Sequence, residues 1–239
     1  MFSISVSILN MIHTGDVKGH EAVSTWKERA ITGVGIAVIM AIMLPWGFSL
    51  PIEFPYETPV LALLAMALMS KNSLRQALAT GYQSTRQFQR TLLTAAILTA
   101  IVLLFPFQWL LDLLLPDGHS KSDLGDFKFN HLIDLLAFLG KMVLSAAIAE
   151  ELLFRFFLLE QWQRLAGATR WARISGCLVS STLFGLAHAN QGTPGILTTG
   201  LVGLALCITY YLSKRNLLAL MLAHACIDIY GLVGLYQSA

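Results

Sequence analysis

The chain has 239 residues, of which 56% are hydrophobic and 13% charged, with a mean hydropathy of +0.66; an ordinary soluble domain is roughly 45–50% apolar and about a quarter charged. So few charges cannot cover a water-facing surface of that size, which excludes a soluble enzyme, a secreted disulfide scaffold and a disordered tail. A net charge of +2, carried by short basic clusters between apolar runs, also excludes nucleic acid as a partner. The expected environment is a lipid bilayer.

In chain order, the opening MFSISVSILNMI is apolar but has no basic stretch before it and no small-residue cleavage site after it. It is expected to be retained, within an N-terminal cytoplasmic or interfacial segment covering 1–30. A membrane span needs about 20 mostly apolar residues, and seven are expected, at about 31–50, 58–70, 91–115, 132–160, 173–190, 195–213 and 217–236. The second is short and the fourth long. Pro45, Pro51, Pro55 and Pro59 break the chain around the first hairpin, Pro116 follows the third span, and Pro194 separates the fifth from the sixth. The fold class is therefore an all-α polytopic transmembrane bundle of about seven helices, with N-terminal transmembrane helices in 31–130 and a catalytic transmembrane region in 131–239. No internal repeat is visible.

Lys and Arg gather in cytoplasmic loops. Lys18, Lys27 and Arg29 precede the first span, and Lys71, Arg75, Arg86 and Arg90 follow the second. Alternation then puts Arg164, Arg170, Arg173, Lys214 and Arg215 on the same side, so twelve of the sixteen basic residues fall inside and only Lys121 and Lys128 outside. The pattern predicts seven spans with a cytoplasmic N-terminus and the C-terminus outside; the expected localisation is multi-pass in a bacterial cytoplasmic (inner) membrane.

Ionisable residues inside a bilayer are costly and are functional candidates by default. They occur in three places, AEELLFR at 149–155, FGLAH at 184–188 and HACID at 224–228. Residues four apart share a helix face, which sets Glu151 over Arg155, Phe184 over His188 and His224 over Asp228. Glu150, about 100° round the helix from Glu151, has no partner at that spacing and must find one on another helix. His188 and His224 are the candidates, and Glu, His and His around a water are the equipment for hydrolysis. The carboxylate would take a proton from water and return it to a leaving amine, one histidine would help hold the water, and the other would donate to the oxyanion. The three side chains should then converge within about 4–7 Å of one another.

EELLFR fits EExxxR, FGLAH fits FxxxH and HACID fits HxxxN or HxxxD, in the order and approximate spacing of the CAAX prenyl protease and bacteriocin-processing (CPBP, Abi) family, which the last 100 residues or so resemble. The resemblance implies a glutamic intramembrane protease, a hydrolase sometimes grouped with metalloendopeptidase-like enzymes but working without a cofactor. Carried over residue by residue, it implies Glu150 and His188 as the water-activating pair, His224 and Asp228 as the oxyanion side, and Glu151, Arg155 and Phe184 as support. Asp228 departs from the asparagine of the eukaryotic-like members: an amide donates a hydrogen bond, whereas an ionised aspartate only accepts. It must be protonated or else orient His224.

Plainer readings stand beside these. Glu151 with Arg155 is also a structural intrahelical ion pair; Glu150 could pair with Lys141 or a loop arginine; Asp228 could be a cap or a helix–helix hydrogen bond; Phe184 is packing that fixes the His188 ring. Glu, His and His are also zinc ligands, although no HExxH helix is present, and the resemblance implies no metal. His13, His20, His119 and His131 lie near expected loops and are read as solvated. Met40, Met43, Met66 and Met69 are read as packing. Cys177, Cys207 and Cys226 lie in apolar runs and imply no disulfide. The expected partner is a membrane-tethered or transmembrane peptide or protein substrate, and prenylation of it is not implied. The alternative is a non-enzymatic bacteriocin self-immunity factor or membrane scaffold with the same fold.

Overall fold

A computed structural model describes residues 26–43, 56–67, 69, 75, 78–79, 82–104, 131–167 and 169–238. Residues 1–25 of the expected N-terminal segment 1–30, residues 44–55 with Pro45, Pro51 and Pro55, and residues 105–130, which hold the end of the third expected span as well as Pro116, Lys121 and Lys128, lie outside them, while 26–30, expected in the N-terminal segment, open the first helix. The described residues form seven helices and no strand. These are α1 (Trp26–Met43), α2 (Glu57–Ala67), α3 (Thr85–Leu104), α4 (Leu132–Ala166), α5 (Arg170–Ala187), α6 (Gly192–Leu212) and α7 (Leu217–Ser238), with a 3₁₀ turn, Ala189–Gln191, between α5 and α6. α4 and the run Ala189–Leu212 are long and apolar enough to cross a membrane; α2 and Leu217–Val233 are shorter apolar helices.

α4 is a continuous rod, but its middle, Val143–Leu158, is π-helical. The i→i+5 bonding of a π-helix widens the turn, so Glu150 and Glu151 are turned less far apart than the expected α-helix would turn them. No residue pattern announces this, because propensity and periodicity do not distinguish a π-turn from an α-turn. α2, α5 and α7 pack on this segment, α3 packs on α7, and α6 lies along α5.

The helix ends are set by local chemistry. α3 starts at Thr85 rather than near 91 because Ser84 caps it: Ser84 Oγ accepts from the Gln87 N–H at 3.3 Å and donates to Gln87 Oε1 at 3.3 Å. α4 ends at Gly167, φ +87°, and Thr169 caps α5 by accepting from the Ala172 N–H at 3.1 Å. α6 begins at Gly192, φ +73°, rather than near 195, since that backbone lets the chain turn sharply after the 3₁₀ residues. The α6–α7 turn has Lys214 and Arg215 at φ +59° and +64°, a conformation that costs a non-glycine residue roughly 1–2 kcal/mol. Arg215 offsets this by donating to Glu160 Oε1 at 2.5 Å and Gln163 Oε1 at 2.7 Å, both on α4. Asn216 donates to Thr91 on α3 at 2.7 Å and caps α7 by accepting from the Ala219 N–H.

Arg164 and Arg170 therefore lie at the same end of the bundle as Lys214 and Arg215, and α3 brings Arg86 and Arg90 to that end. The core gathers Leu153, Phe154, Phe157, Leu206, Tyr210, Leu217 and Leu220, all at 0–1% exposure. Met66 and Met69 join it, and Met69 Sδ accepts from Gln161 Nε2. The outer faces are apolar instead of charged. Leu93, Ile97 and Ile101 form an exposed stripe on α3 opposite buried Ala95, Leu98 and Val102, and α6 exposes Leu197, Leu201, Ile208 and Leu212. Exposed apolar surface on this scale fits a hydrocarbon surrounding. The protein is an all-helical membrane protein.

Candidate active site

The wide turns of α4 present both glutamates to α7. His224 Nδ1 donates to Glu151 Oε1 at 2.7 Å, and its Nε2 lies 3.9 Å from Glu150 Oε2 and 3.7 Å from Asp228 Oδ1. His224 therefore stands among three carboxylates, bonded to one and facing the other two beyond hydrogen-bond reach. The expected pairing of Glu150 across helices is to His224; Lys141 is exposed on the outside of the rod. The i,i+4 pair of Glu151 with Arg155 is present at 3.1 Å from Nη1 to Oε1, an ion pair without hydrogen-bond angles. Glu151 Oε1 thus serves Arg155 and His224 together, a contact between α4 and α7 that i,i+4 spacing along one helix could not reveal.

Arg155 and Glu151 are wholly buried. Among the described residues none of the three guanidinium nitrogens makes a hydrogen bond. Arg155 instead lays its guanidinium over the Phe184 ring, Cζ 4.2 Å from the centroid, a cation–π contact that gains from desolvation. The same ring lies 4.9 Å from the His188 ring and 6.1 Å from the His224 ring, and meets Phe154 edge-on at 5.0 Å. Ser180 Oγ donates to the Phe154 carbonyl at 2.9 Å and fixes α5 against α4 at this level.

His188 is the C-cap of α5, near the end of the helix as a span of 173–190 places it, and its Nδ1 lies 2.8 Å from the Phe184 carbonyl oxygen. A carbonyl only accepts, so Nδ1 carries the proton and a neutral ring keeps its lone pair on Nε2. His188 is close enough to Asp228 to interact with its charge. Phe184 thus carries a backbone bond to one histidine and ring contacts to both. The side chains divide by access: Glu151 and Arg155 are sealed, while Glu150 and Asp228 keep 15% and 20% of their side-chain surface open. Glu150 Oε2 and Asp228 Oδ2 have no hydrogen-bond partner among the described residues. None of the His, Cys, Asp and Glu side chains among those residues forms a group of three that could hold a metal ion. Cys177 and Cys207 are buried free thiols, and Cys226 is exposed.

The site lies about 13 Å along α7 from the Arg215 layer, at 1.5 Å per residue. Its three motifs fall within residues 132–230, which match the family model described as Type II CAAX prenyl endopeptidase Rce1-like. Over that stretch, well under half of the 239 residues, the chain is similar to a family of CAAX prenyl endopeptidases. No curated protein and no solved structure matches the chain.

Proposed function

We propose that this protein is a glutamic-type intramembrane endopeptidase of a bacterial cytoplasmic membrane, with seven spans and its N-terminus inside. It hydrolyses a peptide bond of a membrane-tethered or transmembrane substrate and needs no cofactor. The observation that supports this most is the placing of His224 Nε2 within 4 Å of Glu150 and Asp228, two partly accessible carboxylates each with a buried, unpartnered oxygen, beside the sealed Glu151 and Arg155.

In this reading Glu150 and His188 hold the attacking water, and Glu150 takes its proton as the oxygen bonds to the scissile carbonyl carbon. The oxyanion accepts a hydrogen bond from His224 Nε2. Because Nδ1–H is committed to Glu151, Nε2 can donate only when the ring carries both protons, with the three carboxylates as its countercharge. Asp228 orients this nitrogen from one turn away. Glu150 then passes its proton to the leaving amine as the C–N bond breaks. Glu151, held by Arg155, keeps the His224 ring in place.

The test is cleavage of a panel of membrane-tethered peptides in liposomes by wild type and Glu150→Gln, with and without chelator. Cleavage lost in Glu150→Gln and indifferent to chelator is expected. Chelator-sensitive cleavage would make the protein a metalloenzyme; cleavage surviving in Glu150→Gln would remove the glutamate from the mechanism. Cleavage by neither, with the cellular phenotype intact in Glu150→Gln, would favour the non-enzymatic immunity or scaffold role.

A further inference from the structure

Four rings or charges surround Phe184, and the fifth wall of its pocket is a residue outside all three motifs. Gly203, in mid-α6, is buried against it: a Cβ built there would lie 2.9 Å from Phe184 Cδ1 and 3.5 Å from Arg155 Nη2. Carbon atoms out of bonding contact rest at about 3.5–4.0 Å. An added methyl would therefore force the Phe184 ring toward the histidines or lift the guanidinium from its face. The other glycines nearby differ in what they meet. A Cβ at Gly185 would strike the backbone of α6, the Ile196 carbonyl oxygen at 2.5 Å and Gly200 Cα at 3.2 Å, which makes Gly185 the residue that lets α5 and α6 approach closely. Gly203 instead faces side chains of the site. Glycine in a membrane helix lets a neighbour approach closely, and the neighbour at Gly203 is the Phe184 ring.

We propose that Gly203 is a positioning residue of the active site: its missing side chain leaves the slot in which Phe184 lies between Arg155 and the two histidines. Phe184 transmits that position in two ways, through its carbonyl bonded to His188 Nδ1 and through its ring against both imidazoles. The catalytic consequence rests on the peptidase reading; the structural one does not.

The experiment compares Gly203→Ala, Phe184→Leu and the control Gly231→Ala, whose added Cβ on α7 would meet nothing within 4 Å. Each protein, labelled with ¹⁵N-histidine and held in lipid nanodiscs, is read by the nitrogen resonances of His188 and His224, and by kcat and KM on any peptide the wild type cleaves. Gly203→Ala and Phe184→Leu should both shift those resonances and lower kcat by about 10- to 100-fold, with KM little changed; Gly231→Ala should do neither. Unshifted histidine nitrogens in a folded Gly203→Ala protein overturn the inference. If Gly203→Ala does not fold, Phe184→Leu decides, since it removes the ring from the same slot. Shifted nitrogens in a protein whose wild type cleaves nothing uphold the positioning role and count against the peptidase reading.

Discussion

Glu151 and His224 are 73 residues apart in the chain and 2.7 Å apart in the structure, and the neighbouring Glu150 stands 3.9 Å from the other nitrogen of the same ring. Adjacent glutamates on one rod thus serve one imidazole from two sides, one sealed against Arg155 and one open. Replacing each should have different consequences. Glu150→Gln should leave thermal unfolding in detergent nearly unchanged while abolishing cleavage. Glu151→Gln should leave the Arg155 charge buried without its partner and cost about 3–5 kcal/mol, read as a large fall in the unfolding midpoint. Equal stability losses in both variants would contradict this division of labour.

Asp228 contacts His224 Nε2 at 3.7 Å, close enough to orient the ring without bonding it. Asp228→Asn, which keeps size and polarity, should preserve more cleavage than Asp228→Ala, and the gap should appear in kcat more than in KM. Rate constants for the two variants on one peptide decide this; equal activities would leave the side chain no part in orienting His224.

The α6–α7 turn offers two opposed stability tests. Asn216→Ala removes the α7 cap and the bond to Thr91 and should cost about 1–2 kcal/mol. Lys214→Gly relaxes a φ of +59° and should stabilise by up to about 1 kcal/mol after the entropic penalty of glycine. Chemical unfolding in micelles measures both, and destabilisation by Lys214→Gly would show that the backbone there is not strained.

The exposed stripe of α3 should face lipid. Ile97→Arg would place a charge in hydrocarbon at a cost of about 2.5–3.5 kcal/mol on insertion scales, and should lower the membrane-integrated fraction of the protein. Gln89→Arg, at an exposed position near the basic end of the same helix, should be tolerated. Alkali extraction of membranes separates the two outcomes.

Orientation is testable by thiol labelling with an impermeant reagent in a background lacking the native cysteines. Lys214→Cys should react only in inverted vesicles and Asn190→Cys only in intact cells, since the two positions lie at opposite ends of α6. The reverse pattern would invert the topology.

Much of this architecture is legible in residue order. Seven apolar runs become seven described helices, two of them long and apolar enough to cross a membrane, where a backbone has to satisfy its own hydrogen bonds. The three motifs are legible because charged and imidazole side chains stand out in apolar runs. Helix ends were less so: the start of α3 at Thr85 was written in Ser84 and Gln87, a polar pair that a search for apolar residues passes over. The π-helical middle of α4 had no local signal, and with it went the joint service of Glu150 and Glu151 to His224. Arg155 was legible as the partner of Glu151 at i,i+4, but its stacking on Phe184 depends on how α4, α5 and α6 pack. Gly203 was invisible for the same reason, one glycine among 18.

The Nδ1–H of His224 is spent on a sealed carboxylate, so the ring can exchange protons with its surroundings through one nitrogen only, and that nitrogen opens between Glu150 and Asp228. On the peptidase reading, a peptide that covers those two side chains would also close this route to solvent. In the proposed mechanism Glu150 would then be the one group beside this nitrogen that gains and loses a proton while a peptide is bound.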